Sequence, residues 1–230
     1  MSSYTHPDRL LLAVDSIILG FDMQRLNLLI VRRELDPRRG EPALMGGLVF
    51  ADESIDEAAA RVTEELTGLR EVYLEQFRAF GEVDRDEGDR IVSLAYYALV
   101  EQDKATAQLS TEHDARWVSV TELPNMVFDH NEMVEAALTR LRYRATHEPV
   151  AFELLPEQFT LTQLQALYEA IFDRPIDSGN FRRRLRKMDY LERQNLKDVS
   201  TSRKGAYYYR FNREAYEKAM GAGAEFLLKP

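Results

Sequence analysis

The chain has 230 residues, 45% of them hydrophobic, enough to bury one large core or a medium core and a small one. Its 30 basic and 39 acidic residues give a net charge of −9, and the absence of cysteine excludes disulfides, thiol catalysis and cysteine-ligated metals. The longest apolar run, LLLAVDSIILGF, is broken by Asp15 and falls short of a membrane span, and MSSYTHPDRL lacks a basic segment followed by an apolar one. A cytoplasmic chain with no membrane partner is expected.

Two β-like runs open the chain, Leu10–Phe21 and Leu26–Arg33, joined by DMQR as in a hairpin. A Pro- and Arg-rich loop (DPRRGEP) precedes a third apolar segment, ALMGGLVF. Ser54 with Glu57 forms a capping-box pattern, and Ile55, Ala58, Ala59, Val62 and Leu66 share one helical face that Gly68 ends. Strand-like VYLEQFRAFGEV, IVSLAYYALV and ARWVSV follow, then a helix over 131–144, with Asp129 or Asn131 as a possible N-cap. Strands around two helices predict an α+β or α/β domain ending near Thr146.

THEPVAFELLP carries two prolines and places a boundary near residue 148, giving expected domains 1–148 and 149–230. Charge divides there too. Residues 1–149 hold 16 basic against 28 acidic residues, a net of −12, whereas 150–230 hold 14 against 11, a net of +3. Residues 178–213 are more basic still, with 11 against 3. Such asymmetry fits an acidic domain joined to a nucleic-acid-binding one, or an ordinary solvated basic face. In the basic half, FTLTQLQALYEAIFD has helical period with Thr160 or Thr162 as cap. RPIDSG is a turn, NFRRRLRKMDYLE a second helix with Phe181, Leu185, Met188 and Leu191 inward, and KGAYYYRFN a strand before a last helix from Arg213.

The stretch MGGLVFADESIDEAAARVTEELTGL resembles the Nudix box, G-x5-E-x7-R-E-U-x-E-E-x-G-U, without gaps. Gly47, Glu53, Arg61, Glu65 and Gly68 fall on pattern positions. Three glutamates of that pattern, at i, i+3 and i+4, share a helix face and hold divalent cations. Here those positions read Val62, Glu65 and Leu66. One carboxylate beside two hydrocarbons offers no oxygen set for a hard cation, and Glu64 lies about 100° around the helix from Glu65. Glu53 and Arg61 retain a bracing pair. The resemblance therefore implies the fold without the chemistry: no enzyme, no catalytic residue, no metal and no cofactor.

FGEVDRDEGDRIVSLAYYAL and LPNMVFDHNEMVEAAL resemble segments of ADP-ribose-pyrophosphatase-like Nudix proteins, a branch that includes the NrtR family of Nudix-related transcriptional regulators. That resemblance implies an α/β/α Nudix sandwich with a C-terminal winged helix-turn-helix. It implies a homodimer on operator double-stranded DNA and a small-molecule effector. The implied effector pocket takes in Arg32, Met45, Gly46, Gly47, Glu65, Asp84, Arg85, Arg90, Tyr96, Asp129 and His130. Read from the residues alone, Asp84, Arg85, Asp86 and Arg90 belong equally to a solvated hairpin tip. In the tail, the arginine-rich helix would present Asn180, Arg182, Arg183, Arg184, Arg186 and Lys187 to DNA, with Arg203 and Lys204 on the wing. Tyr207, Tyr208 and Tyr209 read as strand packing. The box and FDH segments resemble most the arabinose-responsive branch, so a pentose sugar such as arabinose is the expected effector. ADP-ribose is the alternative, and an active Nudix hydrolase or a protein-association scaffold are the rivals in other classes.

Overall fold

The computed structural model describes residues 10–199 and 205–229. Seven strands form one sheet: β1 (Leu11–Phe21), β2 (Leu26–Arg32), β3 (Pro42–Ala43), β4 (Met45–Leu48), β5 (Glu75–Phe80), β6 (Ile91–Glu101) and β7 (Arg116–Ser119). The order is β3-β2-β1-β6-β5, with β4 on β1 and β7 on β2. β1 is central, and its residues from Ala13 to Phe21 are all buried, as expected of a strand covered on both faces. The single predicted segment ALMGGLVF is two strands: Ala43 pairs with Val31 of β2, and Met45–Leu48 pair with Ser16–Ala13 of β1. This switch of partner around Leu44 gives the Gly46-Gly47 backbone its place beside β1.

α1 (Ile55–Thr67) starts with both halves of the predicted capping box and ends with Gly68 at φ +80°, where its N–H bonds to the Glu64 carbonyl. It packs its Ala58, Ala59, Val62 and Thr63 side inward, against β4. α2 (Gln102–Thr106) is a short helix that its sequence did not announce, and α3 runs from His130 to His147. Neither proposed cap serves α3 with its side chain. Asn131 instead bridges the preceding loop, accepting from Met126 N–H at 2.8 Å and donating to the Pro124 carbonyl at 3.1 Å. Asp129 is taken by Arg85.

The C-terminal segment has a short 3-10 helix at Pro149–Leu154, then β8 (Phe159–Thr160), α4 (Leu161–Phe172), α5 (Ser178–Leu185), β9 (Leu191–Asp198), β10 (Ala206–Phe211) and α6 (Arg213–Gly221). Thr160 caps α4 reciprocally with Gln163. The three strands form a second sheet ordered β8-β10-β9. The predicted second helix is too long. α5 stops at Leu185 with Arg186 as cap, Lys187 and Met188 lie in the following turn, and 191–198 is a strand. No glycine or proline marks that stop, and the adjacent buried pair Tyr190 and Leu191 belongs to the strand entry, not to a helical face. The core is aromatic: Phe152 stacks on Phe211 at 4.6 Å, and Tyr190, Tyr216 and Phe226 close around it. Tyr168 packs against Phe181 and donates its hydroxyl to the Ala145 carbonyl.

The chain clusters into two compact units, one of residues 10–18, 28–98 and 105–137, the other of 19–27, 99–104 and 138–229. Among the described residues no helix is long and apolar enough to cross a membrane.

Candidate functional site

The box helix is braced as its sequence implies. Arg61 donates to both Glu53 oxygens, at 2.8 and 2.6 Å, and to the Leu48 carbonyl, and its guanidinium covers the Phe50 ring. The Arg61 hydrogen bonds pull the Glu53 carboxyl down to about 2. Because the folded value lies below the unfolded one, this pair contributes stability above pH 4.5 and loses it as pH falls towards 2. The thermal-stability gap between the wild type and Glu53→Gln is therefore expected to be constant above pH 5 and to shrink through that window. A gap that widened on acidification would contradict the pairing.

The catalytic face is different. Val62 is 2% exposed, and a Cβ on Gly47 would meet its Cγ2 at 2.6 Å, so the valine fills the space against β4. Leu66 lines a cavity with Leu11, Ala13, Leu48 and Ile91. Glu65 turns outward to Arg61 at 3.2 Å, and Glu64 pairs with Arg70 at 2.8 Å. These side chains do not fit a divalent cation: the metal end of a Nudix pocket is hydrocarbon here. Among the described residues no group of three His, Asp or Glu is placed to hold a metal.

The cavity has a volume of about 430 Å³, and its polar lining includes Arg32, Arg33, Glu34, Asp36, Asp86, Asp89 and His130. Its deep wall is one hydrogen-bonded cluster. Asp15, 4% exposed, accepts from Ser93 Oγ at 2.6 Å and lies 3.6 Å from Arg85 Nη2. Arg85 in turn grips Asp129 with Nε and Nη2, at 2.9 and 2.7 Å. Burial opposes the Arg85 charge, but the Asp129 hydrogen bonds and the fields of Asp15 and Asp129 outweigh it and raise its pKa. His130 Nδ1 accepts the Leu44 N–H at 3.0 Å, which requires a lone pair there and a proton on Nε2, 3.4 Å from Asp15. Burial holds this imidazole below its ordinary range, against the pull of the two aspartates. With Nδ1 accepting the Leu44 N–H, the ring is neutral.

Gly46 is what lets Asp15 sit there, since a Cβ at Gly46 would stand 2.3 Å from Asp15 Oδ1. Gly46→Ala must displace a carboxylate tied on both oxygens. The expected cost is about 1–3 kcal/mol, read as a lower melting temperature, together with loss of ligand binding. Wild-type behaviour would mean that Asp15 moves freely.

The implied pocket residues fall into three groups. Arg32, Gly46, Gly47, Arg85 and His130 line the cavity. Asp84 and Asp129 line a second depression of about 530 Å³ with Arg38, Arg78 and Glu132, and Arg85 reaches both. Met45 and Tyr96 are buried, and Glu65 and Arg90 are committed elsewhere. The Tyr96 hydroxyl bonds to Asp56, burial and that bond raising its pKa, and Arg90 holds its own hairpin through the Gly81, Glu82 and Ile91 carbonyls. The solvated-tip reading of Arg85 is corrected by its burial. Arg33, Phe128 and Asp15 were not singled out from sequence. The Arg33 guanidinium covers the Phe128 ring at 4.9 Å, and Phe128 takes a positive φ of 51° that no sequence pattern announces.

In the C-terminal unit, Asp177 caps α5 by accepting from Asn180 N–H at 2.8 Å. Arg183, Arg184, Arg186 and Lys187 are exposed with Asn180, while Phe181 and Leu185 are buried. Arg182 is half-buried and donates to Thr162 at 3.2 Å, and Arg184 donates to the Lys229 carbonyl. Arg183 reaches Asn180 at 2.8 Å. Arg203 and Lys204 lie outside the described residues.

Comparison with known proteins matches residues 9–137 to the NUDIX domain and 151–211 to the NrtR DNA-binding winged helix domain. The chain is 30% identical over 220 residues to the ADPR responsive transcriptional repressor NtrR of Acinetobacter baylyi, covering 94% of this chain and 86% of that protein. It is similar to the crystal structure of Shewanella oneidensis NrtR complexed with a 27mer DNA, at a TM-score of 0.77 and 30% identity over 94% of this chain and 98% of that one. An ADP-ribose pyrophosphatase of Methanocaldococcus jannaschii is 28% identical over 135 residues, 57% of this chain and 73% of that enzyme. A Nudix fold with a hydrocarbon metal end, followed by an arginine-bearing helix in an aromatic winged-helix core, matches one family over nearly its whole length: the chain belongs to the NrtR family of Nudix-domain regulators with a C-terminal winged helix.

Proposed function

We propose that this chain is a DNA-binding transcriptional repressor whose Nudix domain, within residues 1–148, binds ADP-ribose without cleaving it, and whose domain at 149–230 holds operator DNA as a homodimer. The observation that carries the reading is the replacement of the metal-binding face by Val62 and Leu66 in a chain that resembles an ADPR-responsive repressor over 94% of its length. The pentose reading has no support among the relatives and gives way to ADP-ribose. The cavity wall carries five carboxylates against three guanidiniums. That acidity does not separate the two ligands. ADP-ribose brings two riboses whose hydroxyls donate to carboxylates, besides a diphosphate that Arg32, Arg33 and Arg85 suit.

Linkage makes the mechanism reciprocal. An effector that favours a conformation mismatched to the operator weakens DNA binding by the factor with which DNA weakens the effector, typically about 5–150-fold. The test selects a tightly held duplex from a random pool, then adds ADP-ribose or arabinose at constant salt. Release by ADP-ribose alone supports the reading. Release by arabinose alone would restore the pentose, and release by neither would remove the sensor.

A further inference from the structure

We infer that residues 224–229 form a strap that sets the angle at which α5 meets DNA, and that it acts through Arg184, a positioning residue rather than a DNA contact. α5 has only eight residues, whereas a helix on its own needs about 12–15 to be stable. Its roll about its axis is therefore fixed by what its sides touch. Successive side chains stand about 100° apart around a helix. Phe181 and Leu185 share the buried side, Arg183 faces outward, and Arg182 and Arg184 occupy the two flanks.

Both flanks are tied, to different elements. On one side α4 holds the helix: Gln165 donates to Ser178 Oγ at 2.9 Å, and Arg182 Nη2 donates to Thr162 at 3.2 Å while its Nε is enclosed by protein. On the other side Arg184 Nη1 donates to the Lys229 carbonyl. Residues 224–229 have neither helix nor strand, yet they are firmly seated. Buried Phe226 and Leu228 alternate with exposed Glu225, Leu227 and Lys229, as in an extended segment laid with one face on a core. The Phe226 ring packs on Tyr190 and Tyr216, with centroids 6.3 and 6.1 Å away. Leu228 is fully buried, and its N–H donates to the Thr146 carbonyl at 3.0 Å. Without the strap, α5 would be held from the α4 side alone and free to roll. Contacts to base edges carry the sequence information and need the helix at one angle, whereas contacts to phosphates carry none. The strap therefore bears on selectivity before it bears on general affinity.

The strap rests on the reading of this chain as a DNA-binding protein, and its test separates the two. The full chain and the variants Arg184→Gln, Leu228→Ala, Leu228→Met and Arg184→Gln/Leu228→Ala are titrated by anisotropy onto the duplex selected from the random pool and onto a mixed-sequence duplex. Salt is varied across about 50–200 mM, at a temperature well below every melting curve. Arg184→Gln and Leu228→Ala are each expected to lower the preference for the selected duplex about tenfold, the size of one lost base contact. The double variant should lose no more than either alone, because both changes cut the same tie. Leu228→Met, which refills the core, should recover most of the loss. The salt slope on the mixed-sequence duplex should stay that of the wild type. Arg184 lies at the surface, so Arg184→Gln decides the matter even where Leu228→Ala does not fold. A salt slope shallower by about 0.9 in Arg184→Gln, with preference intact, would make Arg184 a phosphate contact and overturn the strap. Additive losses in the double variant would overturn it too, and both results leave the DNA reading standing. A wild type that shows no salt-dependent binding would remove both.

Discussion

Replacing Arg85 by methionine is expected to destabilise the N-terminal unit by about 3–5 kcal/mol, the usual cost of removing one partner from a buried ion pair. The arginine side chain is 4% exposed, Asp15 is 6% and Asp129 14%. Methionine would pack much of the stem's volume but leave two carboxylates in low dielectric with only Ser93 and His130 nearby. Arg85→Met/Asp129→Leu should recover part of the loss, since it removes one stranded charge with its partner. Urea denaturation of the three proteins gives the values. A single-variant cost below about 1 kcal/mol would mean that water already screens the cluster. The same substitution should abolish effector binding, because Arg85 touches both depressions.

The second large effect is expected on α5. Arg183→Ala/Arg186→Ala/Lys187→Ala should make the salt dependence of DNA binding shallower by about 2.7, if each group neutralises one phosphate. Arg182 and Arg184 should behave differently although they stand in the same arginine run. Arg182 is held by Thr162 and Arg184 by the Lys229 carbonyl, so alanine at either lowers stability as well as affinity. Melting curves beside the binding titrations separate the classes. Equal salt slopes in the triple variant and the wild type would move the DNA contact elsewhere.

What sequence could deliver depended on whether the deciding interaction is local. The capping boxes at Ser54 and Thr160, the left-handed Gly68 and the Glu53–Arg61 brace lie within a few residues of one another, so spacing alone reveals them. The fate of the metal face was legible for the same reason. The Asp15–Arg85–Asp129–His130 cluster was not, because its members come from β1, a hairpin loop and the start of α3, and the residues nearest Asp129 suggested a cap. Arg85 read equally as a solvated tip until its burial was known. The end of α5 was missed because Met188 and Leu191 continue a helical spacing with Phe181 and Leu185, although the chain has already turned at Lys187. The preference for a pentose drew on the likeness of the box and FDH segments to one branch, and such short segments do not carry the identity of a ligand held by residues scattered over the cavity wall.

The central claim is that the Nudix unit recognises ADP-ribose and leaves it whole. The direct measurement is calorimetric titration of ADP-ribose into the full chain, with and without magnesium, followed by chromatography of the recovered ligand. Saturable binding that is indifferent to magnesium, with the ligand recovered intact, is the predicted result. Magnesium-dependent cleavage of the diphosphate would contradict the account and show that Glu65, despite Val62 and Leu66 beside it, still serves a hydrolase.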